Sequence, residues 1–195
     1  MPCIDDPRMV AAQCHLLQPV ETLHENKWFS VKNRGGHYLI EYNTPQVIVL
    51  PVVDNRAVVM VRVKRPVLVD NTLELPAGGA NRQERPVEAA ARELREETGI
   101  AVPVERFRLL SPITISPNRL PVLPWLYEIQ ITQQEFDQRQ PHDDEIASVE
   151  CFEFEEVKKL MVQGLIYVSL PMAIISRFLF EAEMGVERKV DRPLS

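Results

Sequence analysis

The sequence predicts an α/β (α+β) sandwich, in which helices cover a mixed β-sheet and a short β appendage precedes the main body. A strongly apolar hairpin is indicated by VIVLPVV at residues 47–53 and AVVMVRV at 57–63, on either side of a short turn. One helix is clearly delimited, because Pro86 opens it, VEAAARELREET continues it and Gly99 ends it. Strands and helices around a single core imply the sandwich.

The N-terminal region is predicted to be a separate set of strands. Residues 1–25 lack clear periodicity, whereas 28–31 and 38–42 look like short strands around the turn-like sequence KNRGG. We therefore divide the chain into N-terminal strands over residues 1–44 and a main domain over 45–195.

Downstream of the helix, the patterns alternate between strands and helices. We expect strands in RFRLLSPITI, in PVLPWLYEIQIT and over residues 146–154, with a polar loop over 133–144. FEEVKKLMVQG and residues 169–184 are expected to form the closing helices.

Composition excludes several classes of function. The 195 residues carry a formal net charge of -6, so they lack the basic footprint of a protein that binds duplex nucleic acid. The early Asp5 and Asp6 argue against a signal peptide, and no apolar run is long enough to span a membrane. We therefore expect a cytoplasmic protein with no membrane partner. Cys3, Cys14 and Cys151 show no CxxC spacing, which predicts reduced thiols rather than a zinc site.

A dense group of carboxylates lies on the predicted helix. Glu93, Glu96 and Glu97 fall within an arc of roughly 100° beside its apolar face. Like charges at these spacings repel, and a hard divalent cation would relieve the repulsion. Oxygen ligands favour magnesium, manganese or calcium over zinc. The alternative is a solvated helix whose acids pair with Arg92 and Arg95.

The glycines around this helix favour the metal-site interpretation. Gly78 and Gly79 directly follow the strand-like LELPA, where they allow the backbone to approach a ligand closely. With Gly99, they make up three of the seven glycines in the chain.

The whole segment resembles the Nudix box. That motif is a glycine, five residues, a glutamate, seven residues and then Arg-Glu-aliphatic-any-Glu-Glu-any-Gly-aliphatic. Every defined position is matched here, by Gly78, Glu84, Arg92, Glu93, Leu94, Glu96, Glu97, Gly99 and Ile100. The resemblance implies a Nudix-type α/β/α sandwich and a hydrolase that uses Mg²⁺, with Mn²⁺ as a possible substitute.

The resemblance also implies a role for each residue of the box. Glu93 and Glu97 would hold the metal, and Glu96 would lie close by as a further ligand and catalytic carboxylate. Arg92 would orient the glutamates, and Gly78, Glu84 and Gly99 would be structural. A bound ion of this kind neutralises a pyrophosphate and activates water to attack phosphorus.

The sequence before the box resembles the ADP-ribose pyrophosphatase group. LELPAGG fits that group, in which the Ala77 carbonyl would contact a metal; a buried small residue is the alternative. Arg65 and Pro66 match the group's Gln-Tyr-Arg-Pro, although Val63 and Lys64 replace its first two residues.

The same resemblance suggests three substrate-binding residues. Arg65 would contact phosphates or be a plain surface arginine. Glu74 would support the substrate or be only a strand-end carboxylate. Pro117 would match the group's proline beyond the box, where Asn118 replaces the usual glycine.

An acidic loop beyond the box would supply the general base. Within PHDDEIASVECF, we expect Glu145 in this role, with Asp144 as the second choice and a solvated strand entry as the alternative. The group also suggests a homodimer formed through the N-terminal strands.

The substrate expected from these features is a small nucleotide, ADP-ribose or a related nucleotide sugar. Two alternatives remain: hydrolysis of nucleoside triphosphates or dinucleoside polyphosphates, and a module that senses ADP-ribose-like ligands without turnover. The complete set of glutamates argues against the sensor.

Overall fold

The computed structural model describes residues 15–121, 123–140 and 143–185. Cys3, Cys14, Asp5 and Asp6 therefore lie outside the described residues. Within the described ranges, no helix is long and apolar enough to cross a membrane.

Three antiparallel strands form a small N-terminal sheet in the order β1-β2-β3. They are β1 (Val20–Glu25), β2 (Phe29–Arg34) and β3 (His37–Tyr42). The sequence indicated β2 and β3 but not β1. The sequence of β1, VETLHE, lacks the alternation of apolar and polar residues by which a half-buried strand is recognised. All six of its residues are exposed.

The main sheet has seven strands and is mixed, as expected. They are β4 (Gln46–Val53), β5 (Ala57–Arg65), β6 (Asp70–Glu74), β7 (Ala77–Gly79), β8 (Arg108–Leu110), β9 (Trp125–Ile131) and β10 (Ile146–Glu153). The principal order is β10-β5-β4-β9-β8; β6 pairs with β5 and β7 with β4. The β4–β9 pair is parallel, and the other pairs are antiparallel.

Helices cover both faces of this sheet and complete the sandwich. They are α1 (Pro86–Thr98), α2 (Gln133–Asp137), α3 (Phe154–Val162) and α4 (Ser169–Glu183). On one face, Ala90 and Leu94 of α1 pack with Val49. On the other, Ile175 of α4 packs with Leu50. The sheet core therefore lies between α1 and the closing helices.

The strongest sequence signals match the structure closely. The β4–β5 turn places Asp54 and Asn55 at φ 45° and 53°, the left-handed conformation that joins two twisted strands tightly. Helix α1 begins at Pro86 and is followed by Gly99 at φ 73°, as predicted.

Two downstream predictions were wrong in detail. RFRLLSPITI supplies only the three residues of β8, and the chain then forms a turn in which Ser116 bridges Leu120. Pro112 has no backbone N–H to donate to a neighbouring strand, so β8 cannot continue through it. Further along the chain, the Arg119 carbonyl accepts a hydrogen bond from the Ile40 amide of β3 at 2.8 Å. The expected loop over 133–144 begins with the short helix α2.

The boundary between the N-terminal strands and the main domain remains a prediction. The small sheet ends at Tyr42 and the main sheet begins at Gln46, but the Ile40–Arg119 hydrogen bond connects β3 to the turn between β8 and β9. Cys151 is a free, half-buried cysteine in β10.

Candidate metal centre and substrate site

The candidate metal centre is built where β7 passes beside α1. A Cβ at Gly78 would overlap the Glu93 carboxylate, so only glycine lets this side chain lie against the strand. At the other end of α1, a Cβ at Gly99 would overlap the backbone of Gln140. Because these two glycines have no side chain, helix α1 can lie close to the strand before it and to the loop after it.

Arg92 is the organising cation of the site. Its guanidinium donates to both carboxylate oxygens of Glu84 at 3.0 Å and to the Gly79 carbonyl at 2.9 Å. It also donates to Glu93 at 2.7 Å and to Glu96 at 2.9 Å. These five bonds use all of its N–H donors. The bonds, that to Glu84 foremost, hold the pKa of Arg92 above its ordinary value.

Two carboxylates of the site are half-buried and hard to ionise without a cation. Burial raises the pKa of Glu93, although Arg92 opposes this. Burial also raises the pKa of Glu97 to about 8, and the nearby charges of Glu93 and Asp143 add to the effect. The Ala77 amide donates to Glu97 at 3.1 Å and is the largest influence in the opposite direction.

The oxygen donors fit a hard divalent cation. Glu93, Glu96 and Glu97 each keep one carboxylate oxygen that accepts no hydrogen bond in the described part of the chain. The Ala77 amide faces Glu97, so its carbonyl lies on that same edge of β7. As oriented here, no three acidic, histidine or cysteine side chains among the described residues converge on one point. Arg92 binds the carboxylates of Glu93 and Glu96, so these two side chains would have to rotate toward Glu97 to bind a shared metal ion.

Arg65 and Glu74 lie next to this centre and pair with each other. Arg65 donates to the two oxygens of Glu74 at 2.8 and 2.9 Å, in the planar two-point geometry that arginine and carboxylate favour. The pKa of Arg65 is raised chiefly by this bond, and further by the charges of Glu97 and Glu145. The proposed phosphate-binding arginine therefore lies close to both a box glutamate and the acidic loop.

Sequence reasoning missed Thr72, which supports this pair. It is buried in β6, and its hydroxyl donates to Glu74 at 2.6 Å. The two-residue spacing of Thr72 and Glu74 could have indicated this contact, because residues two apart in a strand lie on the same face of the sheet.

The acidic loop is anchored to α1. The Asp143 amide donates to the Glu96 carbonyl at 3.0 Å, and the Asp143 carboxylate accepts from the Glu145 amide at 3.1 Å. Lys64 donates to the Asp144 carbonyl at 2.6 Å. All three acids are exposed, and the charge of Asp143, which the sequence analysis did not select, reaches Glu97.

Pro117 occupies the exposed turn between Ser116 and Leu120, which the Arg119 carbonyl connects to β3. No hydrogen bond or ion pair between described residues joins this turn to α1. The contacts described above connect the other candidate residues, and the role of Pro117 stays a prediction.

Comparisons with known proteins agree with the box. Phosphatase NudJ of Shigella boydii serotype 4 (strain Sb227) is 39% identical over 84 residues, which are 43% of this chain and 53% of that protein. Phosphatase NudJ of Escherichia coli (strain K12) is 39% identical over 82 residues, 42% and 52% of the two chains. The match thus spans about half the length of these curated relatives. The family model of the NUDIX domain matches residues 43–169, more than half of the chain. The chain belongs to the NUDIX domain family.

Proposed function

We propose that this protein is a magnesium-dependent pyrophosphohydrolase whose substrate is a nucleoside diphosphate linked to a second group, ADP-ribose or a related nucleotide sugar. The observation that carries the proposal is the pair of half-buried carboxylates, Glu93 and Glu97, held between β7 and α1 beside Arg92. Buried like charges at this spacing are costly unless a cation joins them.

The residues suited to hold Mg²⁺, or Mn²⁺ in its place, are Glu93, Glu96 and Glu97 with the Ala77 carbonyl. When bound, the ion would neutralise the pyrophosphate and make a water molecule more acidic. Hydrolysis forms a bond from the water oxygen to phosphorus and breaks the P–O bond to the leaving phosphate. The products are a nucleoside monophosphate and a sugar phosphate.

The protein's own residues would orient the substrate and move the proton. Arg65, fixed by Glu74, is suited to bind a phosphate next to the metal. Glu145 is the proposed general base and Asp144 the second candidate. Glu145 lies close enough to Arg65 for its charge to raise the pKa of that arginine. The role of Pro117 in substrate binding stays a prediction.

The base assignment has a direct test. Glu145→Gln should lower kcat by roughly 10²–10⁴-fold, the range typical of a general base. Asp144→Asn serves as the matched comparison. A loss smaller than about tenfold in Glu145→Gln would reject that assignment.

A second candidate function comes from the relatives, which carry the name Phosphatase NudJ. That name favours an enzyme that releases inorganic phosphate, for which nucleoside triphosphates and related phosphate compounds are the natural candidates. A sensor that binds ADP-ribose-like ligands without turnover is a weaker alternative, since it has no need of a complete set of glutamates.

One screen separates these functions. The full chain, with Mg²⁺ and separately with Mn²⁺, is incubated with ADP-ribose, other nucleotide sugars, dinucleoside polyphosphates and nucleoside triphosphates, and the products are identified. We expect AMP and ribose 5-phosphate from ADP-ribose, without inorganic phosphate. Preferential release of inorganic phosphate from triphosphates would support the second candidate, and metal-dependent binding without turnover would support the sensor.

A further inference from the structure

The acidic loop before β10 is hydrogen-bonded to both α1 and β5. On the α1 side, the Asp143 amide donates to the Glu96 carbonyl at 3.0 Å, which places Asp143 next to the box glutamates. On the β5 side, Lys64 donates twice. Its amide bonds the Glu145 carbonyl at 3.2 Å, and its Nζ bonds the Asp144 carbonyl at 2.6 Å. The three acidic residues therefore bridge the helix of the box and the β5–β6 hairpin.

These bonds to the main body fix the backbone of the bridge but not the direction of the Glu145 side chain. Asp143, Asp144 and Glu145 are all exposed, so burial does little to restrain their side chains. A further bond lies within the bridge, where the Asp143 carboxylate accepts from the Glu145 amide at 3.1 Å. An aspartate that binds the amide two residues further on forms an Asx turn, which restricts the backbone dihedrals between the two residues. The direction of the Glu145 side chain therefore depends on Asp143.

The two ends of the bridge lie near different parts of the candidate site. Burial is the main cause of the raised pKa of Glu97, and the charge of Asp143 adds to it. The bond to Glu74 is the main cause of the raised pKa of Arg65, and the charge of Glu145 adds to it. Asp143 therefore lies near a box glutamate, and Glu145 lies near the candidate phosphate-binding arginine.

We propose that Asp143 is a positioning residue, whose carboxylate holds Glu145 in the orientation from which it removes a proton from the attacking water. The inference rests on the proposed function, in which Glu145 is the general base. Such a base must lie within hydrogen-bonding reach of the proton that it removes. An exposed side chain on a loop meets this condition only when the backbone that carries it is fixed, and small displacements of a reacting group are costly. Asp143 acts through Glu145 and does not itself contact the substrate.

The first test uses two variants that separate the hydrogen bond of Asp143 from its charge. Asp143→Asn keeps a side-chain oxygen that can accept from the Glu145 amide, whereas Asp143→Ala keeps none. Both variants remove the charge near Glu97, so the difference between them measures the hydrogen bond alone. For ADP-ribose, we expect kcat of Asp143→Ala to be about tenfold or more below that of Asp143→Asn, with similar KM. Equal kcat values in the two variants would overturn the inference.

The matched control is Asp137→Ala in α2. It removes another exposed aspartate that accepts a hydrogen bond, in this case from the Gln133 side chain at 2.9 Å. This variant should retain the kcat of the wild type. A tenfold loss in Asp137→Ala would show that removing any such surface bond lowers turnover, and it would overturn the assignment of a specific role to Asp143.

A double-mutant cycle tests whether Asp143 acts through Glu145. In the Glu145→Gln background, kcat of Asp143→Ala should lie within about twofold of that of Asp143→Asn, because the group that Asp143 positions is no longer a base. The same tenfold difference in both backgrounds would give Asp143 a role in loop folding alone and overturn the inference. A loss in Asp143→Ala together with undiminished turnover in Glu145→Gln would also overturn it.

The last test needs no turnover. Exchange of the Glu145 amide proton with solvent is followed by NMR in the full chain with Mg²⁺. We expect exchange at least about tenfold faster in Asp143→Ala than in Asp143→Asn, because only the second variant keeps an acceptor for this amide. If the protein hydrolyses nothing yet shows this difference, the proposed function fails and the positioning of Glu145 by Asp143 stands. Hydrolysis of ADP-ribose with equal exchange in the two variants would retain the function and reject the inference.

Discussion

Glu97 is the residue at which burial and charge oppose each other most directly. Its carboxylate is half-buried between the backbone of β7 and other acids, and among the described residues it accepts a hydrogen bond from the Ala77 amide alone. In the metal-free protein, a pKa of about 8 means that the folded state binds a proton that the unfolded state has already released near 4.5. Stability therefore falls as the pH rises through this window.

Glu97→Gln should remove that dependence. At pH 9 without metal, we expect the variant to be more stable than the wild type by roughly 1–3 kcal/mol, because a buried charge is replaced by a neutral amide. At pH 4 the difference should vanish, and Mg²⁺ should stabilise only the wild type. Urea unfolding measures all three quantities, with Glu156→Gln on the exposed surface of α3 as the control. A variant less stable than the wild type at pH 9 would contradict this account of Glu97.

The individual residues of the site were predictable to different degrees. The box spacing identified the glutamates and Arg92, because all of them lie within one helical segment and the loop before it. It did not indicate that Arg92 would direct all its donors to neighbouring acids and a carbonyl. The proximity of Asp143 to Glu97 depends on the loop folding back over the end of α1, where the Gln140 amide bonds the Gly99 carbonyl at 2.9 Å. Sequence spacing carries no signal for that contact.

At the scale of elements, local signals decided which predictions succeeded. The β4–β5 hairpin and α1 each combine a clear apolar pattern with a specific turn or cap. Helix α2 also has a local signal, the capping box in which the Thr132 hydroxyl accepts from the Glu135 amide and the Glu135 carboxylate accepts from the Thr132 amide. Its polar sequence had instead suggested a loop.

Glu135 should stabilise α2 in a pH-dependent manner. The hydrogen bond from Arg106 is the main cause that lowers the pKa of Glu135 to about 2, from an ordinary value of 4.5. The stabilisation is thus complete above 4.5 and is lost as the pH falls through about 2. We expect Glu135→Gln to cost about 1 kcal/mol at pH 7, allowing for screening by solvent, and almost nothing below pH 2. Urea unfolding at the two pH values tests this, and Glu105→Gln in the turn beside Arg106 is the control. A loss that stays constant with pH would disagree with it.

At the scale of the whole molecule, the sandwich brings the functional groups together from distant parts of the chain. The α1 face of the sheet carries Glu97 from the box, Arg65 and Glu74 from the β5–β6 hairpin, and Glu145 from the loop before β10. The sequence predicted the class of fold because strands and helices were recognisable. Strand register places Val61 opposite Glu74 and Arg65 opposite Asp70, so Arg65 and Glu74 share one face of the sheet, although they are not directly opposite each other.

The N-terminal sheet leads to the prediction that the protein is a homodimer. Tyr38 and Ile40 lie two residues apart on one face of β3 and are 54% and 38% exposed, and Trp28, just before β2, is 63% exposed. Exposed apolar groups of this kind mark interaction surfaces. We expect the full chain, at 22.4 kDa, to sediment as a dimer.

The variant Tyr38→Glu/Ile40→Glu should sediment as a monomer, because each copy would bring two unpaired charges into a desolvated interface. Phe180→Glu provides the matched control, since Phe180 is a similarly exposed apolar residue, 62% exposed, on α4. Analytical ultracentrifugation at several protein concentrations distinguishes the cases. A monomeric wild type would reject the dimer, and dissociation by Phe180→Glu alone would move the interface from the N-terminal sheet to the closing helices.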